Sequence, residues 1–399
     1  MFQIFKPGTK FDIVGKQKIL LIFSALLVTA SIVLVATKGL NYGIDFKGGS
    51  DIILKFKKDV TNQDVREAAS RIGFEDASVQ AFGPAEDNQF LVQTKEVSVM
   101  NETKLDAVAA ALTALGSTDA KEDMWDINQP DRVDVSFPSE IDPKTLVSSM
   151  EGIGFKAVEA EKVTRGTGNN YVIRFRSLGA KVQEGFAKEM PDAFDPSTGL
   201  SRMETVGARV GGQLREDGIT SLLLSLLAIL IYIAIRFDIR YAPGAVLALF
   251  HDVAISMGII SLFQMEVSLP TLASILTIVG YSLNDTIVVF DRIRENYTAG
   301  RGGSDLRSII NTSLNETLNR TIITSMTTFL AVIVIVWLGS GLIQSFATTL
   351  LIGIVVGTYS SLFIASPVLI VMDRWVQNQQ AAKKLRQSQS PTIEPSPEV

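Results

Sequence analysis

Six stretches of this chain are apolar over the length of a bilayer core: Ile19–Ala36, Ile219–Ile235, Pro243–Phe263, Thr271–Phe290, Thr321–Leu338 and Phe346–Met372. A helix of about 20 residues crosses a hydrocarbon layer of about 30 Å, and it satisfies its own backbone groups where no water is available. With 47% hydrophobic and 20% charged residues in 399, the chain is too apolar for an ordinary soluble protein of this size. It is predicted to be a polytopic α-helical membrane protein with six spans. The last run is long for one crossing, so its ends are expected to tilt or protrude. The first run follows Lys16 and Lys18 and has some character of a signal peptide. Its apolar core is longer than a usual signal core, and Val35–Lys38 is a poor cleavage sequence, so it is read as a retained anchor.

Orientation follows from the basic residues. Segment 1–18 carries Lys6, Lys10, Lys16 and Lys18, and the Arg236–Arg240 connection carries two arginines. Connection 291–320 holds Arg292, Arg294, Arg301, Arg307 and Arg320, and tail 373–399 holds Arg374, Lys383, Lys384 and Arg386. The short connections Gln264–Leu269 and Gly339–Ser345 contain neither Lys nor Arg. Alternate loops therefore obey one rule, which places both termini in the cytoplasm. The domain plan is spans at 19–37, 219–290 and 321–372, with segment 38–218 on the outer side. Connection 291–320 reads as an amphipathic helix: Leu306, Ile309, Ile310, Leu314 and Leu318 recur at helical spacing beyond Gly300, Gly302 and Gly303. The tail is rich in Gln, Lys, Ser and Pro and reads as disordered.

The outer segment repeats itself, over residues 50–98 and again over 131–178. Each copy has an alternating strand, a short helix ending in Ile-Gly-Phe (Ile72–Phe74, Ile153–Phe155) and two further strand-like stretches. Thr61 and Asp142 are good N-cap types, and Gly73 and Gly154 are natural helix stops. Trp125, Pro130 and Pro138 mark the join. The pattern predicts an α+β, ferredoxin-like domain, either duplicated or a single unit with an insertion.

Charged and titratable groups inside the spans are few: Asp285 in the fourth, His251 and Asp252 in the third, and Arg320 at the inner mouth of the fifth. A carboxylate inside a spanning helix costs at least ~2.5 kcal/mol on insertion scales, so it marks an ion or substrate path. Asp285 with Arg320 as its cation is the candidate proton relay; Asp252 and His251 are further candidates, or a helix–helix tie satisfied by a nearby serine. Arg320 could also simply reach the inner headgroups. Asn284 cannot titrate and reads as a helix–helix hydrogen bonder. Gly353 and Gly357 form a GxxxG, a sign of close helix contact. No Walker lysine motif, no zinc spacing and no Ser/His/Asp set occurs, the histidine being single and cysteine absent. No enzyme, metal or cofactor is predicted, and energy must come from an ion gradient or a partner. The net charge of −5, without a basic aromatic stripe, indicates no nucleic-acid partner.

Three stretches together resemble the SecF family: Gly43-Ile-Asp-Phe-Lys-Gly-Gly-Ser50, His251–Asp252, and Asn284-Asp285 through Asn296 followed by Asn319-Arg320-Thr321 and a Thr/Ser run. Gly43, Asp45, Gly48 and Gly49 match the family's glycine signature; Asn284, Asp291 and Arg292 lie in the long match that begins inside the fourth span and runs past its end. The resemblance implies an RND-superfamily half that pairs with SecD, associates with the SecYEG channel in the SecA pathway, and uses the proton-motive force to complete preprotein export. It implies Asp285 and Arg320 as relay residues, a bacterial inner-membrane location with a periplasmic domain, and preproteins and membrane lipids as contacts. The enlarged outer domain departs from the family's usual single unit. Two other readings are an RND-type small-molecule or lipid exporter half, and a passive assembly factor whose membrane charges are structural.

Overall fold

The computed structural model describes residues 11–98, 100, 102–120, 124–125, 131–155, 158–163, 169–236, 238, 240–299 and 305–389. Lys6, Lys10, Pro130, Gly300, Arg301, Gly302, Gly303 and tail residues 390–399, which the sequence reading used, lie outside them. The chain forms two compact units: Met1–Tyr42 with Glu216–Val399, and Gly43–Arg215. The first unit opens with α1 (Gln17–Lys38) and the two-residue strand β1 (Asn41–Tyr42).

The second unit contains α2 (Ile44–Lys47), β2 (Gly49–Lys55), α3 (Asn62–Ile72), β3 (Ser78–Phe82), β4 (Gln89–Thr94), α4 (Glu102–Ala114), β5 (Arg132–Phe137), α5 (Pro143–Gly152), β6 (Glu159–Val163), β7 (Asn169–Arg174), α6 (Leu178–Glu189) and β8 (Leu200–Val206). One antiparallel sheet has the order β3-β4-β2-β8. With α3 and α6 it completes a β-α-β-β-α-β unit of ferredoxin-like topology. A second sheet, β5-β7-β6, with α5 repeats the β-α-β-β half and lies in sequence between β4 and α6. Each sheet has its own apolar core: Ile52, Leu54, Val65 and Phe186 belong to one, Val133, Leu146, Tyr171 and Leu112 to the other. The repeat is thus a half-unit inserted into a whole one. The closing pieces α6 and β8 were not legible as such, because β8 pairs with β2 across the whole insertion.

Local chemistry explains the helix ends. Thr61 forms a capping box with Asp64, and Gly73 ends α3 with φ of 102°, a left-handed conformation that glycine adopts without strain. Asp142 accepts from the Lys144 N–H and Ser177 from the Ala180 N–H, capping α5 and α6. At the glycine signature, Gly43 precedes α2 and Gly48 ends it with φ of 73°. Gly49 follows with φ of 136°, and a Cβ there would lie 2.5 Å from the Thr94 carbonyl oxygen. The paired glycines are therefore a steric requirement for entering β2.

The remainder of the first unit is α7 (Ala208–Arg236, beginning in the second unit), α8 (Ala242–Leu262), β9 (Glu266–Val267, parallel to β1), α9 (Leu269–Thr298), α10 (Leu306–Leu338), α11 (Gly341–Phe363) and α12 (Ala365–Gln389). Six segments are long and apolar enough to cross a membrane. Half or more of the apolar stretch of α8, of α9 and of α11–α12 is buried, whereas α1, α7 and α10 turn most of theirs outward. On α1 the buried residues are Gln17, Ser24 and Ser31, seven apart, while Ile19, Ile22 and Leu26 point out. Small residues let helices approach, and large apolar ones face the surroundings, as expected in lipid.

Several boundaries differ from the sequence reading. Helix α7 starts at Ala208 rather than near Ile219, its polar first turns lying ahead of the apolar run. The amphipathic segment and the fifth span are one continuous helix, α10. The sixth run is not a single helix: α11 ends at Phe363 and α12 begins at Ala365. Pro367 is the cause, since it lacks an N–H and its ring excludes the carbonyl four residues back, that of Phe363. The tail expected to be disordered from 373 continues as helix through Gln389, its Gln, Ala, Lys and Arg residues being good helix formers. Phe11–Val14 docks on α10: the Asn315 amide pairs with both the N–H and the carbonyl of Phe11 (2.7 and 2.9 Å), and Asn311 accepts from the Ile13 N–H at 2.9 Å.

Candidate functional site

A polar layer crosses the bundle between two apolar clusters. Ile278, Val332, Ala347, Leu350 and Ile354 form one cluster; Phe290, Leu314, Leu318 and Leu362 belong to the other. Between them along α9, α10 and α11 lie Ser282, Asp285, Ser325, Thr358 and Ser360, and Asp252 of α8 joins this layer through Ser282 and Ser360. Polar groups in such a place must be hydrogen-bonded or carry a cost of several kcal/mol each.

The two carboxylates are satisfied very differently. Asp252, fully buried, accepts from Ser282 Oγ of α9 at 2.5 Å and from Ser360 Oγ of α11 at 2.8 Å through one oxygen. Its other oxygen lies 2.9 Å from His251 Nδ1. Asp252 therefore ties three helices. The ring of His251 stacks on Tyr359, with centroids 5.9 Å apart, and its Nε2 is buried with no hydrogen-bond partner among the described residues. Tyr359 Oη is 2.9 Å from Ser24 Oγ and donates to the Leu20 carbonyl at 3.1 Å, which links the layer to α1. Asp285, also buried, meets one hydroxyl, Ser325 Oγ, at the long distance of 3.4 Å. Thr358 Oγ1 donates to Ser325 at 2.8 Å.

Gly353 and Gly357 make this layer possible. A Cβ on Gly353 would stand 2.1 Å from the Ile278 side chain, and one on Gly357 would stand 3.0 Å from Ser282 Cβ. The GxxxG is thus the seam along which α11 meets the face of α9 that carries Ile278, Ser282 and Asp285. These three residues are four and three positions apart, so they share one helix face.

The other candidate residues are placed as follows. Arg320 is exposed and forms no ion pair with Asp285 among the described residues, although it remains within electrostatic range. The close pairing considered from sequence is absent because Arg320 turns away from the buried face of α10 that carries Thr317, Thr321 and Ser325. Asn284 is exposed and makes no side-chain hydrogen bond among the described residues; adjacent to Asp285, it sits on a different face of α9. Asp291 is exposed. Arg292 bonds Glu295 and Glu316 at 2.6 and 2.7 Å, and Asn296 bonds Ser313 and Glu316 at 2.9 and 2.8 Å, joining the ends of α9 and α10. In the connection before α8, hydrogen bonds to Asp238 and then to buried Asp373 hold the Arg240 guanidinium above its usual range. Among the described residues no group of three or more His, Cys, Asp or Glu is arranged to hold a metal ion. The hydroxyls of Ser282, Ser325, Thr358 and Ser360 were missed individually; their signal was polarity inside apolar runs.

These features define a class: a polytopic helical membrane protein with six helices long and apolar enough to span, and a ferredoxin-like domain between the first two in sequence. Residues 187–375 match the C-terminal family of SecD/SecF protein export membrane proteins, and residues 33–60 match the SecD/SecF GG motif. Protein translocase subunit SecF of Desulfurispirillum indicum is 38% identical over 87% of this chain and 87% of its own length. The subunit SecF of Escherichia coli O157:H7 is 32% identical over 87% and 83%. The chain belongs to the SecF family of protein translocase subunits. The crystal structure of SecDF from Thermus, described as a translocon-associated membrane protein, superposes with a TM-score of 0.62 at 27% identity. That comparison covers 93% of this chain but only 40% of the SecDF chain.

Proposed function

We propose that this protein is a non-enzymatic accessory subunit of the Sec translocase that uses the proton-motive force, together with SecD, to drive late steps of preprotein export across the inner membrane. The observation that carries the proposal is the contrast inside the polar layer. Asp252 accepts hydrogen bonds on both carboxylate oxygens, whereas Asp285 is buried with one long hydroxyl contact. In this reading Asp285 carries the proton and Arg320 acts as a cation at range, able to approach when α10 moves. His251 and Asp252 serve the relay through the adjoining hydrogen bonds. The SecD partner is supported by the SecDF chain, which is more than twice as long as the part matched here. Association with SecYEG and with the SecA pathway belongs to the same proposal.

The topology in this reading has both termini cytoplasmic, the Gly43–Arg215 unit periplasmic, and lipid around the outward faces of α1, α7 and α10. The ferredoxin-like unit and its inserted half-unit would move with the first two spans, which flank them in sequence. The small-molecule or lipid exporter reading is not favoured, since the relatives are translocase subunits. The test is export in inner-membrane vesicles energised only by a proton gradient, comparing Asp285→Asn with the unaltered protein at equal assembly with the partner. The gradient-stimulated component is expected to vanish. Unchanged export would remove Asp285 from the coupling path.

A further inference from the structure

Three consecutive residues of α11 each reach a different neighbour. Thr358 bonds Ser325 on α10, Tyr359 bonds Ser24 on α1 and stacks on His251 of α8, and Ser360 bonds Asp252 on α8. The first of these contacts leads directly to Asp285. A hydroxyl has one hydrogen to donate and lone pairs to accept. Thr358 Oγ1 lies 2.8 Å from Ser325 Oγ and 2.6 Å from the Ile354 carbonyl, so it donates to one of them at a time. Ser325 stands likewise between Thr358 and Asp285, the latter at 3.4 Å.

The chain of groups therefore has two complete polarities. With Asp285 ionised, Thr358 donates to Ser325 and Ser325 donates to Asp285. With Asp285 protonated, its O–H donates to Ser325, Ser325 donates to Thr358, and Thr358 donates to the Ile354 carbonyl. Each hydrogen has an acceptor in both states, and the only proton gained is the one on Asp285. Charged and titratable groups on the elements packed against α9 are Arg320, Glu316 and Arg307 on α10, His251 and Asp252 on α8, Tyr359 on α11 and Glu266 of β9; Glu316 bonds Arg292 and Asn296 beyond Asp285 on α9, and Glu266 lies ahead of the start of α9.

We propose that Thr358 is a positioning residue whose hydroxyl, acting through Ser325, couples the protonation state of Asp285 to helix α11. Reversing the chain reverses the direction of the Thr358–Ser325 bond: with Asp285 ionised the Thr358 hydrogen goes to α10, and with Asp285 protonated Thr358 accepts from α10 and turns its hydrogen to its own backbone. Helix α11 is the element that also bonds Ser24 of α1 and Asp252, so a change of donor and acceptor at Thr358 bears on the adjoining ties at Tyr359 and Ser360. The inference rests on the reading of Asp285 as the proton carrier.

The experiment uses membrane vesicles containing the full chain with its partner, and measures preprotein export with and without an imposed proton gradient. Thr358→Val keeps the shape and removes the hydroxyl; Thr358→Ser keeps the hydroxyl and removes the methyl group. The gradient-stimulated component should fall roughly two- to tenfold in Thr358→Val, the weight of one hydroxyl hydrogen bond, and be retained in Thr358→Ser. Ser325→Ala breaks the same chain from the other side, should fall equally, and decides the matter if Thr358→Val assembles poorly. Full activity of Thr358→Val beside an inactive Asp285→Asn overturns this proposal alone. Loss in Thr358→Ser with retention in Thr358→Val assigns the residue to packing and also overturns it. Full activity of Asp285→Asn removes both readings.

Discussion

Truncating the two layer carboxylates should separate a structural acid from a functional one. Asp252→Ala removes hydrogen bonds to Ser282 and Ser360, on two other helices, at 2.5 and 2.8 Å, and to His251 at 2.9 Å. Interhelical hydrogen bonds in membrane proteins average ~0.6 kcal/mol and reach ~1.7, so the two interhelical bonds contribute about 1 to 3 kcal/mol. The donors left buried without partners add about 1 kcal/mol or more. The expected loss is about 2–4 kcal/mol. Asp285→Ala removes one contact at 3.4 Å and should cost under ~1 kcal/mol. Because the truncation is the same at both positions, the volume change largely cancels in the comparison. Denaturant titration of the full chain in mixed micelles, followed by near-ultraviolet circular dichroism, measures the difference directly. Equal losses, or a larger loss for Asp285→Ala, would refute the argument that donor saturation distinguishes them.

Gly353→Ala drives a methyl group into Ile278, itself buried, and should cost ~1–3 kcal/mol by overpacking; Ile278→Ala in the same chain should restore part of the loss in the same titration. Thr61→Ala removes the capping box of α3 and should lower the stability of the Gly43–Arg215 unit by ~1 kcal/mol, read by amide hydrogen exchange of α3. The Lys57 ammonium, and then the Ser197 hydroxyl and N–H, hold the Asp195 carboxyl below the usual carboxylate range. A carboxyl depressed in the folded state stabilises fully above its unfolded value near ~4, and the effect is lost as pH falls below that value towards the folded one. Asp195→Asn should therefore flatten the acid limb of unfolding below about pH 4 and leave the slope between pH 5 and 8 unchanged. A changed slope at neutral pH would contradict that assignment.

Much of the architecture is a local property and could be read in one dimension. Apolar run length is set by bilayer thickness, so the span-length helices were legible with no partner in view. Thr61, Asp142 and Gly73 act on backbone groups within a few residues of themselves, and their capping roles were legible for the same reason. So was the Gly353–Gly357 seam, because a missing side chain is visible in the sequence. The break at Phe363 was readable in principle from Pro367, but hydropathy dominated that stretch and hid it.

Other features depend on groups distant in sequence, and only the tertiary structure decided them. Pairing of β2 with β8 turned an apparent duplication into a complete ferredoxin-like unit with a half-unit inserted. The sequence by itself determined that Asp252 and Asp285 sit inside spans, since that follows from their neighbours in the chain. It could not say that Ser282 and Ser360 saturate the first while Ser325 barely reaches the second. Nor could it say that Arg320 turns outward, or that Thr358, Tyr359 and Ser360 reach three different ways. Hydrogen bonds fall off within a few tenths of an ångström, and helix rotation and register set those distances. Span length is legible in composition; donor geometry exists only once the helices are packed.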